Sequence, residues 1–334
     1  MIITSAVNTY KRVKEELITM ENLSKDYFDK IKVYNHKGIE ICDEDIGEFH
    51  NKDILFISLN GEPFSIENYI NEYELLKEIK KEENDIIYEA KHNLTNKKVA
   101  IKITKILQDN MNNITNLTRE ATFLTSLKNK NIIKVYNNFM YKDKFYVVMR
   151  LCKGGNLFEY LQSIKQRLSE EQSKKYFQQL YNGILYIHNN NIVHGNLKPS
   201  NVLFLDEKKT RLVIIDFKLS ALANGNSNEK IRPTNAPYIS PEVILDDTIS
   251  SMPCLDIWGL GIILYEMTCG KNPFKGKNLD ETLENIIHQN LSFPNDFKAT
   301  KNFFNLIVGL LQKDFKKRID IYSSLFESWF DDNE

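Results

Sequence analysis

The spacing of apolar and polar positions changes several times along the chain, and each change marks an element. Between Ala6 and Leu23 the apolar residues Val7, Tyr10, Val13, Leu17 and Met20 recur every three or four positions with Lys and Glu between them, the signature of an amphipathic helix. The segment KIKVYNHKGIEI then alternates on either side of Asn35-His36-Lys37-Gly38. DILFISLNGEPFSI alternates around Asn60-Gly61, a strong turn signal. A helix within residues 1–28 and a small β-rich unit over 29–68 are therefore expected. From Tyr73 onward the character changes, and no internal repeat or low-complexity linker interrupts the remainder. The longest apolar run, Ile257 to Met267, is too short and too interrupted to cross a bilayer.

Composition narrows the class. With 334 residues, 42% apolar and 27% charged, the chain can bury a large core and is too apolar to be disordered. A formal net charge of -1 gives no excess of positive charge for nucleic acid or an anionic membrane. The cysteines, Cys42, Cys152, Cys254 and Cys269, lie far apart and form no C-x-x-C, which argues against a zinc site and a disulfide framework. The opening MIITSAVNTYKRVKEEL lacks the apolar stretch of a secretory signal. A soluble, cytoplasmic protein without nucleic-acid or membrane partners is expected.

Candidate chemistry lies in a series of ordered motifs. Val99-Ala100-Ile101-Lys102 ends YELLKEIKKEENDIIYEAKHNLTNKKVAIKI, and a segment with Arg119-Glu120 follows. Next come YVVMRLC, GGNLFEYL and IVHGNLKPSNVLF, then Asp216-Phe217-Lys218, Ser240-Pro241-Glu242, LDIWGLGIILYEMTCGKNPF and KDFKKRI. In this order and spacing they resemble the protein kinase superfamily over residues 73–330, closest in style to the calcium/calmodulin-dependent group. The resemblance implies an α+β bilobal fold: a small β-rich N-lobe with one helix and a large helical C-lobe, here preceded by a small α+β extension. Separately, V-Y-N-x-x-G-I-E-I, an acidic stretch and N-K-D-I-L-F-I-S resemble the C-terminal half of ubiquitin-like modules of the doublecortin and KHA type, over about Lys30 to Phe64. Their opening hairpin has no counterpart before the first helix. The unit is thus either an incomplete module, which implies docking to microtubules or another cytoskeletal filament and a cytoskeletal or ciliary location, or a plain extension.

The kinase resemblance also assigns residues. It implies that Lys102 reaches the α- and β-phosphates of ATP and pairs with Glu120, that Asn201 and Asp216 hold Mg²⁺, and that Lys198 sits beside the γ-phosphate. Ile87, Ala100 and Leu203 would enclose adenine, with Met149 behind it and Cys152 at the same cleft. Leu124, Val135, His194 and Phe217 would stack between the lobes, anchored on Asp256. Glu242 and Arg318 would form a buried ion pair.

Several positions depart from the pattern. Asn196 stands where the catalytic loop carries the Asp that accepts the substrate proton, and Gly195 replaces the preceding Arg. The glycine-rich phosphate loop is replaced by KKEEND, with Lys80, Glu82 and Asp85 at the glycine positions. Lys218 follows Asp216-Phe217 where glycine is usual. An amide cannot act as base, and carboxylates near phosphates repel them. On this basis the expectation is a pseudokinase: a scaffold or allosteric partner of other proteins with no intact catalytic residue, requiring no cofactor and binding Mg-ATP weakly at most. A weak or atypical ATP-dependent Ser/Thr protein kinase is the alternative, because phosphoryl transfer depends mainly on positioning and electrostatics. A cytoskeletal adaptor acting through the N-terminal unit is the third.

Overall fold

In a computed structural model, the structure describes residues 10–20, 28–34, 40–42, 56–58, 73–82, 84–93, 95–106, 118, 121, 124–141, 143–164, 166–217, 221–222, 233–245 and 252–331. The chain divides into two compact units, residues 1–77 with 90–97, and residues 78–89 with 98–334.

In the first unit, helix α1 (Tyr10–Met20) presents Val13 and Leu17 on one face, one turn apart as the periodicity predicts. They pack with Ile31, Val33 and Ile41 in a small core. Strand β1 (Lys32–Tyr34) pairs antiparallel with β2 (Phe56–Ser58), Val33 opposite Ile57. The chain returns at Glu40, which bridges Tyr34, and the Ile41 amide donates to the Val33 carbonyl at 2.8 Å. The expected turns at Asn35–Gly38 and Asn60-Gly61, and Val7 of the first helix, lie outside the described residues.

The kinase-like region begins with a five-stranded sheet in the order β3-β4-β5-β7-β6, made of β3 (Tyr73–Lys81), β4 (Asp85–His92), β5 (Lys98–Lys105), β6 (Val135–Tyr141) and β7 (Lys144–Arg150). Strands β5 and β7 are antiparallel with Ala100 opposite Met149. After Arg150 the chain turns helical: α2 (Leu157–Ile164) and α3 (Glu170–Asn189) precede the short strands β8 (Ile192–Val193), β9 (Val202–Phe204), β10 (Leu212–Ile214) and β11 (Ala221–Leu222). Helices α4 (Pro241–Leu245), α5 (Cys254–Cys269), α6 (Leu279–His288), α7 (Lys301–Leu310) and α8 (Ser324–Phe330) complete it.

Helix α3 starts on a capping box: Ser169 accepts from the Gln172 amide and the Gln172 side chain accepts from the Ser169 amide, which satisfies two backbone donors reciprocally. Helix α5 is apolar apart from Asp256, Glu266 and Thr268, and every residue from Leu255 to Thr268 is buried, as expected for the axis of a helical core. It stops at Gly270, whose φ of 77° is the left-handed conformation glycine adopts without strain. Its Trp258 and, from other elements, Phe177, Ile184, Phe303 and Trp329 belong to one continuous core. The fold is the α+β arrangement of a sheet-rich lobe and a helical lobe. Among the described residues no helix is long and apolar enough to cross a membrane.

Candidate active site

Strand alternation builds the upper wall of the cleft. On β4, Asp85 and Ile87 share a face, and on β5 so do Lys102 and Thr104, because successive side chains point to opposite sides of a strand. Met149 joins them from β7. From the helical lobe come Asn201, at the end of a 3-10 turn over Pro199–Asn201, and Asp216, just beyond β10. These residues line one cleft of roughly 920 Å³, its open mouth included. Ala100, Leu203 and Cys152, also assigned to the nucleotide, are not among the residues that line it. Ala100 is buried opposite Met149, and Leu203 in β9 bridges Asn156. Cys152 follows β7 and its thiol is pushed up to about 11 by burial, against the opposing charge of Arg150, so it is no nucleophile at neutral pH. Glu120 and Lys218 lie outside the described residues.

The catalytic loop hangs from helix α5. Asp256, wholly buried, accepts from the backbone amides of His194 at 2.9 Å and Gly195 at 2.8 Å, and its Oδ2 lies 2.8 Å from His188 Nε2. Burial acts to raise its pKa, but the His188 and His194 contacts outweigh it and hold the carboxyl below its ordinary value. Gly195 has φ 71°, a conformation that costs a side-chain-bearing residue roughly 1–2 kcal/mol. The Arg-to-Gly departure therefore removes strain at this point. Gly195→Arg should lower stability by about 1 kcal/mol in urea unfolding without a change in slope; unchanged stability would show that the backbone relaxes out of this conformation.

Asn196 is tied to its neighbours. Its Nδ2 donates to Asp216 Oδ2 at 3.1 Å and its carbonyl accepts from Asn201 Nδ2 at 2.8 Å. Asp216 itself has φ 67°, a left-handed conformation that aspartate tolerates better than most residues. Lys198 is half-buried, and burial lowers its pKa while the Asp216 carboxylate opposes the shift. Above the loop, His194 and Phe217 stack edge to face at 4.7 Å. Both are buried, as are Leu124 and Val135, so the four residues of the expected inter-lobe stack are all interior.

Within KKEEND the Glu82 amide donates to the Asp85 carbonyl at 2.8 Å. Lys80 and Glu82 pair with each other at 2.6 Å with exposed side chains. Asp85 turns the other way. Its carboxylate lies 3.1 Å from Lys102 Nζ and accepts from Thr104 Oγ1 at 2.6 Å, with only 8% of its side chain exposed. Lys102 thus has a carboxylate partner on the neighbouring strand that sequence reasoning had not paired with it. The signal was available, since alternation puts Asp85 on the Ile87 face and Lys102 on the Thr104 face.

The donor chemistry at Asn201 and Asp216 suits a hard cation. Asp216 offers carboxylate oxygens and Asn201 an amide oxygen, its nitrogen being engaged by the Asn196 carbonyl. Among the described residues no group of three or more His, Cys, Asp or Glu forms a metal site of its own, so Mg²⁺ held here would take further ligands from nucleotide phosphates and water. At the base of the helical lobe, Arg318 forms a two-pronged bond to Glu242, Nη1 to Oε1 at 2.6 Å and Nη2 to Oε2 at 2.9 Å.

Comparison with known proteins fits this geometry. Residues 73–330 match the protein kinase domain family, and the chain belongs to it. Calcium-dependent protein kinase 5 of Plasmodium berghei is 32% identical over 248 residues, 73% of this chain and 43% of that protein. The SNF-related serine/threonine-protein kinase of Homo sapiens is 30% identical over 249 residues, 75% of this chain and 32% of that protein. A Dictyostelium discoideum protein named "Probable myosin light chain kinase" is 30% identical over 274 residues, 79% of this chain and 85% of that protein. The chain thus spans less than half the length of the first two. These relatives are named as kinases, and they overturn the expectation of a pseudokinase scaffold. The physical reason is that the departures leave the frame standing: Gly195 keeps its amide on Asp256 and Asn196 keeps the loop bonded to Asp216 and Asn201.

Proposed function

We propose that the chain is an atypical ATP-dependent Ser/Thr protein kinase that transfers phosphate by positioning and electrostatics without a carboxylate base. The observation that supports this most is the convergence of Ile87, Lys102, Met149, Asn201 and Asp216 on one cleft. In this reading the apolar end receives adenine, Lys102 supports the phosphate chain, and Asn201 and Asp216 hold Mg²⁺. Bound there, the cation would neutralise charge developing on the phosphate oxygens. The Ser or Thr hydroxyl oxygen bonds to the γ-phosphorus while the bond to the β-γ bridging oxygen breaks and ADP leaves. The transition state is loose, so little covalent chemistry falls to the protein. Asn196 can orient the hydroxyl but cannot take its proton, which passes to water or to a phosphoryl oxygen.

The test is incorporation of labelled γ-phosphate into Ser and Thr of the protein itself and of a general protein substrate. Loss of the base costs roughly 10²–10⁴ in rate, which puts turnover below the usual range of about 1–100 per second. Asp216→Asn should abolish what remains. Incorporation no higher in the native protein than in Asp216→Asn would overturn the proposal.

A further inference from the structure

The Asp85 carboxylate occupies a particular place. It bonds the ammonium of Lys102 and the hydroxyl of Thr104, is almost fully buried, and is aimed into the cleft that Asn201 and Asp216 also line. Lys80 and Glu82 of the same turn also line the cleft, but they pair with each other with exposed side chains, whereas Asp85 is buried on Lys102. Building on the kinase assignment, we infer that Asp85 is a specificity-determining gate, an internal anion seated on Lys102 that a nucleotide's phosphates must displace.

The consequence follows from charge. For a ligand with no phosphate, such as adenosine, Asp85 stays on Lys102 and costs nothing, because the apolar end of the cleft is a separate set of residues. For a phosphorylated ligand two anions compete for one ammonium, and the carboxylate either remains and repels the phosphates or swings away and loses two partners. A cation carried by the nucleotide reduces the repulsion, so the gate should favour the metal-bound triphosphate strongly over the metal-free one. The cleft is thereby expected to discriminate little between adenosine and Mg-ATP, and to reject ATP in chelator.

Calorimetric binding of adenosine, ATP with Mg²⁺ and ATP with chelator to the full chain tests this, for the native protein, Asp85→Gly and Asp85→Asn. Removing the charge should tighten ATP about tenfold or more, most without the metal, and leave adenosine within about threefold. Asp85→Asn keeps the side chain's size and guards against a folding failure in the glycine variant. A Glu171→Gln control, at an exposed carboxylate paired with Lys175 and outside the cleft lining, should leave ATP affinity unchanged. Equal gains for adenosine and ATP would mean that Asp85 acts by bulk alone, and no gain for ATP in either variant would mean that it does not compete with phosphate; either overturns the gate. Because the readout is binding, a native protein without phosphotransfer would refute the kinase assignment while leaving this result legible.

Discussion

Asn196→Asp is expected to raise kcat by about 10²-fold, the low end of what a positioned general base contributes. Asn196 Nδ2 now donates to Asp216 Oδ2 at 3.1 Å. A carboxylate at 196 would replace that bond by a like-charge contact, so without a divalent cation the variant should also be less stable than the native protein. With Mg²⁺ and ATP present the repulsion is screened and the new carboxylate is free to accept the substrate proton. The gain should appear in kcat and leave KM for ATP little changed, because the base acts on the hydroxyl and not on the phosphate seat. Asp85→Gly should do the opposite and lower KM for ATP. A kinetic series on the two single variants and the double variant separates these effects. If Asn196→Asp leaves kcat unaltered while the fold is intact, proton removal is not what limits the proposed phosphotransfer, and the atypical-base account falls.

The lobes and their order were legible through the kinase resemblance, because its motifs are short contiguous runs of sequence. The motif series from Val99 to the KDFKKRI segment carries the resemblance that implied the two lobes, and each motif is a run of neighbouring residues. The first helix was legible in its face, since Val13 and Leu17 are the residues that pack. The site was legible as a set of positions and not as a set of bonds. Lys102 was assigned a partner on the segment holding Glu120, and its contact with Asp85 depends on β4 lying beside β5 and on both side chains facing the cleft. Asn196 was legible as a missing base, but its bond to Asp216 joins residues brought together by the fold, β9 and β10 intervening. The inference from lost chemistry to lost function failed for a related reason. It added up departures one by one, whereas the backbone of the loop is held by residues that did not depart, Asp256 above all.

The frame itself should be sensitive at one ion pair. Arg318 and Glu242 are fully enclosed, with side-chain exposures of 0% and 2%. Besides its two bonds to Glu242, the guanidinium donates from Nε to the Gln312 carbonyl at 2.9 Å and from Nη1 to the Cys254 carbonyl at 2.9 Å, and it lies 5.0 Å over the Trp258 ring. Removing it by Arg318→Ala strands a buried carboxylate and takes the donor from two carbonyls, at a cost of about 3–5 kcal/mol. That is a large share of the roughly 5–15 kcal/mol that holds a domain folded. Arg318→Lys keeps the charge but not the planar fork, and should recover only part of the loss. Removing both partners, as in Glu242→Leu with Arg318→Met, should cost less than Arg318→Ala alone, because no charge is left unmatched in the interior. The exposed pair Lys80 and Glu82 is the contrast: breaking it should change stability by about 0–1 kcal/mol. Denaturant midpoints for these variants give the comparison. A double variant as unstable as Arg318→Ala would show that packing around Trp258, rather than the stranded charge, sets the penalty.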